Sequence, residues 1–224
     1  MKHNIVKQAE QRLKLVGQTT TGHANTKEIR TISSELFKQV EDKSLDNVLS
    51  ICEELLAFGT WSATIIAFDF AFRVKKQYKE STFTTFEGWL KKYCTDWGPV
   101  DDFCSHAFGE LIIQNTNLIH KILRWTQMEE WWMRRAAAVI FLPSIRKNKY
   151  QNIDLFHIAD TLMHDEHYLV QKGYGWMLKE LSQKEPDLVF DYLLKHRTAM
   201  PRTAFRYALE KLDPESKKNL MKKV

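Results

Sequence analysis

The stretch Ser44–Leu56 reads Ser-Leu-Asp-Asn-Val-Leu-Ser-Ile-Cys-Glu-Glu-Leu-Leu, and its apolar residues recur with the spacing of one helix face. They fall at i, i+3, i+4, i+7 and i+8, which are the positions Val48, Ile51, Cys52, Leu55 and Leu56. Ser44 is a suitable N-cap for this helix. A similar stripe runs from Leu111 to Leu123, with a break at Asn115 to Asn117. Each stripe requires a neighbouring helix to cover it.

The composition extends this prediction to the whole chain. The 224 residues are 44% hydrophobic and 27% charged, the balance of a globular protein with a sizeable core. Only 8 glycines and 5 prolines are present, too few for the frequent turns of a sandwich, a barrel or a parallel sheet. We therefore predict an all-α fold of about a dozen helices joined by short loops.

A repeat of 33 to 36 residues is visible in the aromatic residues that open helices. Trp61, Trp97, Trp132 and Tyr168 follow one another at nearly equal spacing, and Pro201 opens a further helix. This period predicts an α-solenoid of helical pairs, whose curvature would give a concave groove. It lies near the period of tetratricopeptide repeats and below that of HEAT units, but we favour degenerate HEAT-like pairs. The Trp-x-x-Leu-Gly-x-x-Tyr pattern of tetratricopeptide repeats is absent. No linker or low-complexity segment interrupts the chain, so we expect a single domain over residues 1–224.

Several features bear on the compartment. The longest apolar run, Ala136 to Pro143, is far shorter than the ~20 residues that a transmembrane helix needs. The first ten residues have no signal-peptide core, and the three cysteines form no C-x-x-C pair. These observations predict a reduced, cytoplasmic protein that does not bind membranes.

The net charge of +5 is concentrated at one end of the chain. Residues 172–224 contain 12 Lys and Arg against 7 Asp and Glu, and the two signs balance in the remainder. A basic surface of this kind is typical of proteins that bind polyphosphates, although a solvated helix face has the same composition. If the polyphosphate is DNA, the residues expected to contact its phosphates are Lys172, Lys179, Arg202 and Arg206.

The common catalytic motifs are missing. There is no phosphate-binding P-loop, dinucleotide-binding glycine turn, nucleophile elbow or H-E-x-x-H helix. His164-Asp165-Glu166-His167 could bind a metal, but a solvated turn between helices is the better interpretation, so we predict no metal and no cofactor.

Three short segments remain as candidate site elements. In Trp97-Gly98-Pro99-Val100-Asp101 the tryptophan and the carboxylate are one helical turn apart. Trp131-Trp132-Met133-Arg134-Arg135 has adjacent tryptophans that cannot both face one core. Gly173-Tyr174-Gly175-Trp176-Met177-Leu178-Lys179-Glu180 has two glycines inside a helical pattern, which indicates a close approach by another group. Each segment could equally be a cap, a helix interface or a core tryptophan.

Together these segments resemble the HEAT-repeat alkylpurine DNA glycosylases of the AlkD type, along nearly the full chain. In that family a Trp-x-x-x-Asp, a Trp-x-x-Arg and a Gly-Trp-x-Leu-[Lys/Arg]-Glu element line the groove in this order. The resemblance implies excision of positively charged N3- or N7-alkylated purines from duplex DNA, without a cofactor and without a pocket for a flipped base. It assigns Asp101 as the catalytic carboxylate, Trp97 and Trp176 as contacts of the damaged nucleotide, and Arg135 as a phosphate clamp. A monomer acting on alkylated duplex DNA is the corresponding expectation.

Several features leave alternatives open. Gly98 and Pro99 lie between the tryptophan and the carboxylate, Asp102 competes with Asp101, and Arg134 competes with Arg135. Relatives with this fold also bind DNA without excising bases. The alternative function is therefore a non-catalytic HEAT-like module that binds unusual DNA structures or a protein partner.

Overall fold

The computed structural model describes residues 2–19 and 25–222, and helices account for all of the regular secondary structure in these ranges. The α-helices are α1 (Lys2–Thr19), α2 (Thr26–Lys38), α3 (Leu45–Leu56), α4 (Trp61–Arg73), α5 (Thr82–Tyr93), α6 (Trp97–Ser105), α7 (Ala107–Gln114), α8 (Ile119–Leu123), α9 (Trp131–Val139), α10 (Leu142–Arg146), α11 (Leu155–Leu162), α12 (Tyr168–Ser182), α13 (Pro186–His196), α14 (Arg202–Ala208) and α15 (Pro214–Met221). Short 3-10 segments lie at Lys75–Gln77, Thr116–Leu118, Arg124–Gln127 and Leu209–Lys211. The all-α prediction is confirmed.

Six helices form a central row, in which each packs against the next: α2, α4, α6, α9, α12 and α14. Their first residues are 34 to 37 positions apart along the chain, which confirms the repeat predicted from the aromatic spacing. The fourth of these helices begins at Trp131, one residue before the predicted Trp132, and Pro201 precedes α14. The other helices flank this row, as expected for stacked helical pairs.

Helix starts follow from local chemistry. Asn25 and Glu28 form a reciprocal capping box at α2, and Thr60 accepts a hydrogen bond from the Ala63 amide at α4. Pro186 and Pro214 are the first residues of α13 and α15, where a proline costs no hydrogen bond. Within the described residues the α-helices number fifteen rather than a dozen. One reason is that helical segments are interrupted at His106, between α6 and α7, and near Ile140, between α9 and α10.

The core is continuous along the row and rich in aromatic rings. Phe68 of α4 stacks on Phe103 of α6 with ring centroids 4.2 Å apart, and Phe86 packs edge-on against Phe103. Polar side chains about one repeat apart in the sequence also form contacts between neighbouring repeats. Trp125 donates to Glu87 at 2.7 Å, for example. None of the described helices has the length and apolar character required to span a membrane.

Candidate functional site

The start of α6 is regular despite its glycine and proline. The Asp96 carboxylate accepts a hydrogen bond from the Trp97 amide at 2.7 Å, and Pro99 lies in the first turn, where its missing N–H is tolerated. A β-carbon on Gly98 would be 3.4 Å from the ring of Trp61, so the indole lies directly against this glycine. Trp97 and Asp101 therefore remain one helical turn apart, with 52% of Trp97 exposed.

Asp101 is held by Arg135 from the next helix of the central row. The arginine donates from Nε to Oδ1 at 2.8 Å and from Nη2 to Oδ2 at 2.7 Å, which makes a two-pronged ion pair. A third bond runs from Nη1 to the backbone carbonyl of Leu169, at the start of α12. One arginine thus ties α6, α9 and α12 together beneath the carboxylate.

This geometry differs from the expectation that Arg135 clamps a phosphate. The arginine is only 5% exposed, and its donors already bind Asp101 and Leu169. In this structure Arg135 holds the carboxylate in position. Their separation of 34 residues, about one repeat, fits a contact between neighbouring helices of the row, but spacing alone does not show which side chains pair.

Burial raises the pKa of Asp101 above its ordinary value, and the hydrogen bonds and charge of Arg135 oppose that rise without cancelling it. The side chain keeps 17% exposure, so the carboxylate is partly desolvated yet still reachable from solvent. Its two oxygens together have about four lone-pair sites, and Arg135 occupies two of them. The remaining sites could accept a hydrogen bond from a bound water.

Asp102, the competing carboxylate, faces the preceding helices. It pairs with Arg30 of α2, and the same guanidinium lies 3.6 Å from Asp69 of α4. His106 Nδ1 lies 3.4 Å from the carboxylate oxygen that also contacts Arg30. Burial raises the pKa of Asp102 as well, opposed chiefly by Arg30. This carboxylate therefore belongs to a network that joins α2, α4 and α6.

The two glycines of α12 make room for neighbouring helices. A β-carbon on Gly173 would be 3.1 Å from Cγ of Arg135, and one on Gly175 would be 2.8 Å from the Ala204 carbonyl oxygen and from Tyr207 Cβ. The close approach predicted for these glycines is confirmed. One glycine accommodates the arginine that holds Asp101, and the other accommodates α14.

Trp176, one turn after Gly173, is half-buried and fixed by two residues. Its indole N–H donates to Glu180 Oε1 at 3.1 Å, and the same oxygen accepts a bond from Arg146 Nη2 at 2.8 Å. The Arg146 guanidinium carbon is 5.6 Å from the Trp176 ring centroid. Sequence reasoning missed Arg146, although its separation of 34 residues from Glu180, about one repeat, was a usable signal.

Two of the residues predicted to contact DNA, Arg134 and Lys179, form ion pairs within the protein. Arg134 pairs with Asp165 and donates to the carbonyls of Met128 and Glu129, so it fastens the start of α9 to the loop before α12. Lys179 pairs with Glu210 at 2.6 Å and is 18% exposed. Both cations thus have carboxylate partners and are largely covered, with 20% of Arg134 and 18% of Lys179 exposed, so their contact with phosphate stays a prediction that requires these pairs to open.

The other predicted contacts are more accessible. Lys172 lies 5.1 Å from the ring of Tyr168 and 5.9 Å from that of Tyr207, on the face of α12 that also presents Trp176. Arg202 and Arg206 are exposed on α14, four residues apart, and we find no ion pair for either within the described part of the chain.

The segment His164–His167 forms the turn between α11 and α12, as predicted. His167 stacks on Trp131 with ring centroids 4.5 Å apart and an angle of 7°, and burial lowers its pKa. Across residues 2–19 and 25–222, no three His, Cys, Asp or Glu side chains are grouped so as to hold a metal.

A recess opens beside Trp97, in the direction of α4. It has a volume of about 740 Å³ and includes Trp61, Tyr93 and Lys92 in its lining. Trp61 is 42% exposed, so two tryptophans at equivalent positions of neighbouring repeats flank this recess. The sequence repeat had identified Trp61 only as a helix opening.

Comparison with known proteins places this arrangement in a family. No curated protein matches the chain significantly. A solved structure described as a predicted DNA alkylation repair enzyme from Enterococcus faecalis is similar in fold, with a TM-score of 0.71 and 19% sequence identity. The match covers 94% of this chain and 96% of that one. The family model for DNA alkylation repair enzymes matches residues 10–212. The chain belongs to the DNA alkylation repair enzyme family.

Proposed function

We propose that this protein is a DNA glycosylase that removes positively charged N3- or N7-alkylated purines from duplex DNA. The observation that carries the proposal is Asp101, a partly exposed carboxylate held by Arg135 and one turn from the exposed Trp97. A fixed carboxylate suits a reaction that develops positive charge on a sugar. Membership of a DNA alkylation repair family supports the same substrate class.

The reaction would be a hydrolysis of the N-glycosidic bond. Alkylation at N3 or N7 gives the base a positive charge, so the bond can break with its electron pair passing to the base and no acid is required. The sugar acquires oxocarbenium character, which the Asp101 charge would stabilise. A water held at the free lone pairs of Asp101 would add to C1′ and lose its proton, leaving an abasic site and a neutral free base.

Trp97 and Trp176 would hold the damaged nucleotide. Both are presented by helices of the central row, and their electron-rich faces attract a cationic base or contact the deoxyribose. In this proposal the cationic base leaves directly from the duplex and needs no enclosed pocket.

The non-catalytic alternative is favoured by one specific observation. Both oxygens of Asp101 accept hydrogen bonds from Arg135, and an ion pair of this kind screens the charge that catalysis would use. A DNA-binding module that needs no reactive carboxylate could use the pair solely to join its helices. Only an activity measurement separates the two functions.

The test is release of 7-methylguanine from duplex DNA, measured in single turnover and compared with spontaneous release from free DNA. If Asp101 contributes ~3 kcal/mol to the transition state, Asp101→Asn lowers the rate on the order of 10²-fold. Asp102→Asn is the matched control, and we expect it to reduce stability more than rate because Asp102 serves the network with Arg30. No release by the parent protein would favour the binding module.

A second variant separates catalysis from folding. Asp101→Asn leaves the buried Arg135 without its counter-charge, a loss that typically costs several kcal/mol of stability. Adding Arg135→Gln removes the unpaired charge and should recover part of the melting temperature. The excision rate should stay low in this double variant. A rate that recovers together with stability would mean that Asp101 is purely structural.

A further inference from the structure

The predicted phosphate clamps are committed to protein partners, while a different arginine remains open beside the site. Arg135 is buried against Asp101, and Arg134 is bound to Asp165 and two backbone carbonyls. Arg146, at the last position of α10, keeps 44% of its side chain exposed. A DNA-binding surface around Trp176 would thus use Arg146, a cation that the sequence analysis did not identify.

Arg146 is positioned rather than loosely solvated. Its Nη2 donates to Glu180 at 2.8 Å, and its guanidinium lies over the Trp176 ring. Glu180 is fixed in turn because Trp176 donates to the same Oε1. These contacts also lower the pKa of Glu180. A planar guanidinium with one edge against a carboxylate retains other N–H donors for a second anion.

We infer that Arg146 is a binding site for a backbone phosphodiester of the DNA, next to the sugar that Trp176 contacts. The inference rests on the proposed function, in which Trp176 holds the damaged nucleotide. Each deoxyribose is bonded to two phosphates, so a guanidinium 5.6 Å from the centre of the ring that holds the sugar would be near one of them. The hydrogen bond to Glu180 and the contact with the indole hold the guanidinium in place, and its planar fork suits two-pronged binding of a phosphate.

Glu180 has a second role in this site. In the free protein its carboxylate neutralises Arg146 and orients Trp176. A phosphate that binds the guanidinium competes with this carboxylate for the same cation. Glu180 is therefore a positioning residue that also moderates the affinity for the phosphate.

The test measures the affinity of the full chain for an undamaged duplex over a range of salt concentrations. Arg146→Gln should reduce the slope of log affinity against log salt by about 0.9, the value for one phosphate contact on duplex DNA. Lys147→Gln is the matched control, since Lys147 is the next residue, is 46% exposed and pairs instead with Glu110 of α7. We expect it to change the slope by less than half as much. An unchanged slope for Arg146→Gln, or an equal change for both variants, overturns the assignment.

Glu180→Gln gives a second, opposite test. The amide still accepts the indole hydrogen bond but no longer neutralises Arg146, so duplex affinity should equal or exceed that of the parent. If Glu180→Gln weakens binding as much as Arg146→Gln does, the pair is a structural unit and the phosphate site is wrong. Melting temperatures of all variants identify any loss of folding. If Arg146→Gln reduces the salt slope but the parent protein releases no 7-methylguanine, the glycosylase proposal is rejected and the phosphate site is retained.

Discussion

At the scale of single residues, the chemistry depends on what surrounds Asp101. A two-pronged arginine normally lowers the pKa of a carboxyl group, yet the pKa of Asp101 is raised because burial outweighs the ion pair. A partly desolvated carboxylate interacts strongly with a positive charge that develops nearby. The pKa of the neighbouring Asp102 is also raised, but this carboxylate is enclosed by Arg30 and His106. The partners of the two carboxylates, and not the direction of their pKa shifts, distinguish them.

This shift predicts the pH dependence of excision. Asp101 must be ionised to stabilise the sugar, so the single-turnover rate should fall as acidification protonates it. Because its pKa is raised, the fall should begin at a higher pH than for an ordinary aspartate near 3.9.

The measurement is a pH–rate profile of 7-methylguanine release, with spontaneous release subtracted at each pH. The low residual rate of Asp101→Asn should not show this decline, whereas Asp102→Asn should retain it. A parent rate that stays constant down to about pH 4 would mean that Asp101 does not act through its charge.

At the scale of helices, sequence spacing predicts the central row because each of its helices must present similar residues to its neighbours. Trp61, Trp97 and Tyr168 are the first residues of α4, α6 and α12, and their spacing is visible without coordinates. The contacts of Arg135 were not predictable in this way. A helical pattern places an arginine on a face, but the distance to Asp101 depends on how closely α6 and α9 pack. Gly173 of α12 makes room for the Arg135 side chain on α9, and these two residues are likewise remote in sequence.

The glycines give a prediction at this scale. Gly175→Ala would bring a β-carbon within 2.8 Å of the Ala204 carbonyl oxygen, and we expect a loss of about 1–3 kcal/mol from overpacking. Gly88, inside α5, has no atom within 4 Å of where its β-carbon would be. Gly88→Ala should therefore add up to ~1 kcal/mol through helix propensity. Urea unfolding of both variants is the measurement, and a change of the same sign in both would contradict the packing argument.

At the scale of the whole molecule, the charge distribution should govern how DNA binds. The excess of basic residues lies in the C-terminal quarter, yet the structure divides these cations into free and paired groups. Lys172, Arg202 and Arg206 are accessible, whereas Lys179 is held by Glu210. Among the described helices none stands out as a base-reading element, so we expect binding to be electrostatic and independent of sequence.

The last prediction follows from these groups. Arg146 pairs with Glu180 but keeps 44% of its side chain exposed, so with it four accessible cations would neutralise about four phosphates. Log affinity should therefore fall against log salt with a slope of roughly −4. Replacing Arg202 and Arg206 together by glutamine should reduce the slope by about 2, because each loses one phosphate contact. Lys179→Gln removes the same charge from a paired residue and should leave the slope nearly unchanged. Fluorescence anisotropy with two unrelated duplex sequences checks both the slope and the sequence independence. If Lys179→Gln lowers the slope as much as either arginine does, its pairing with Glu210 does not persist on DNA, and side-chain exposure does not identify the cations that contact phosphate.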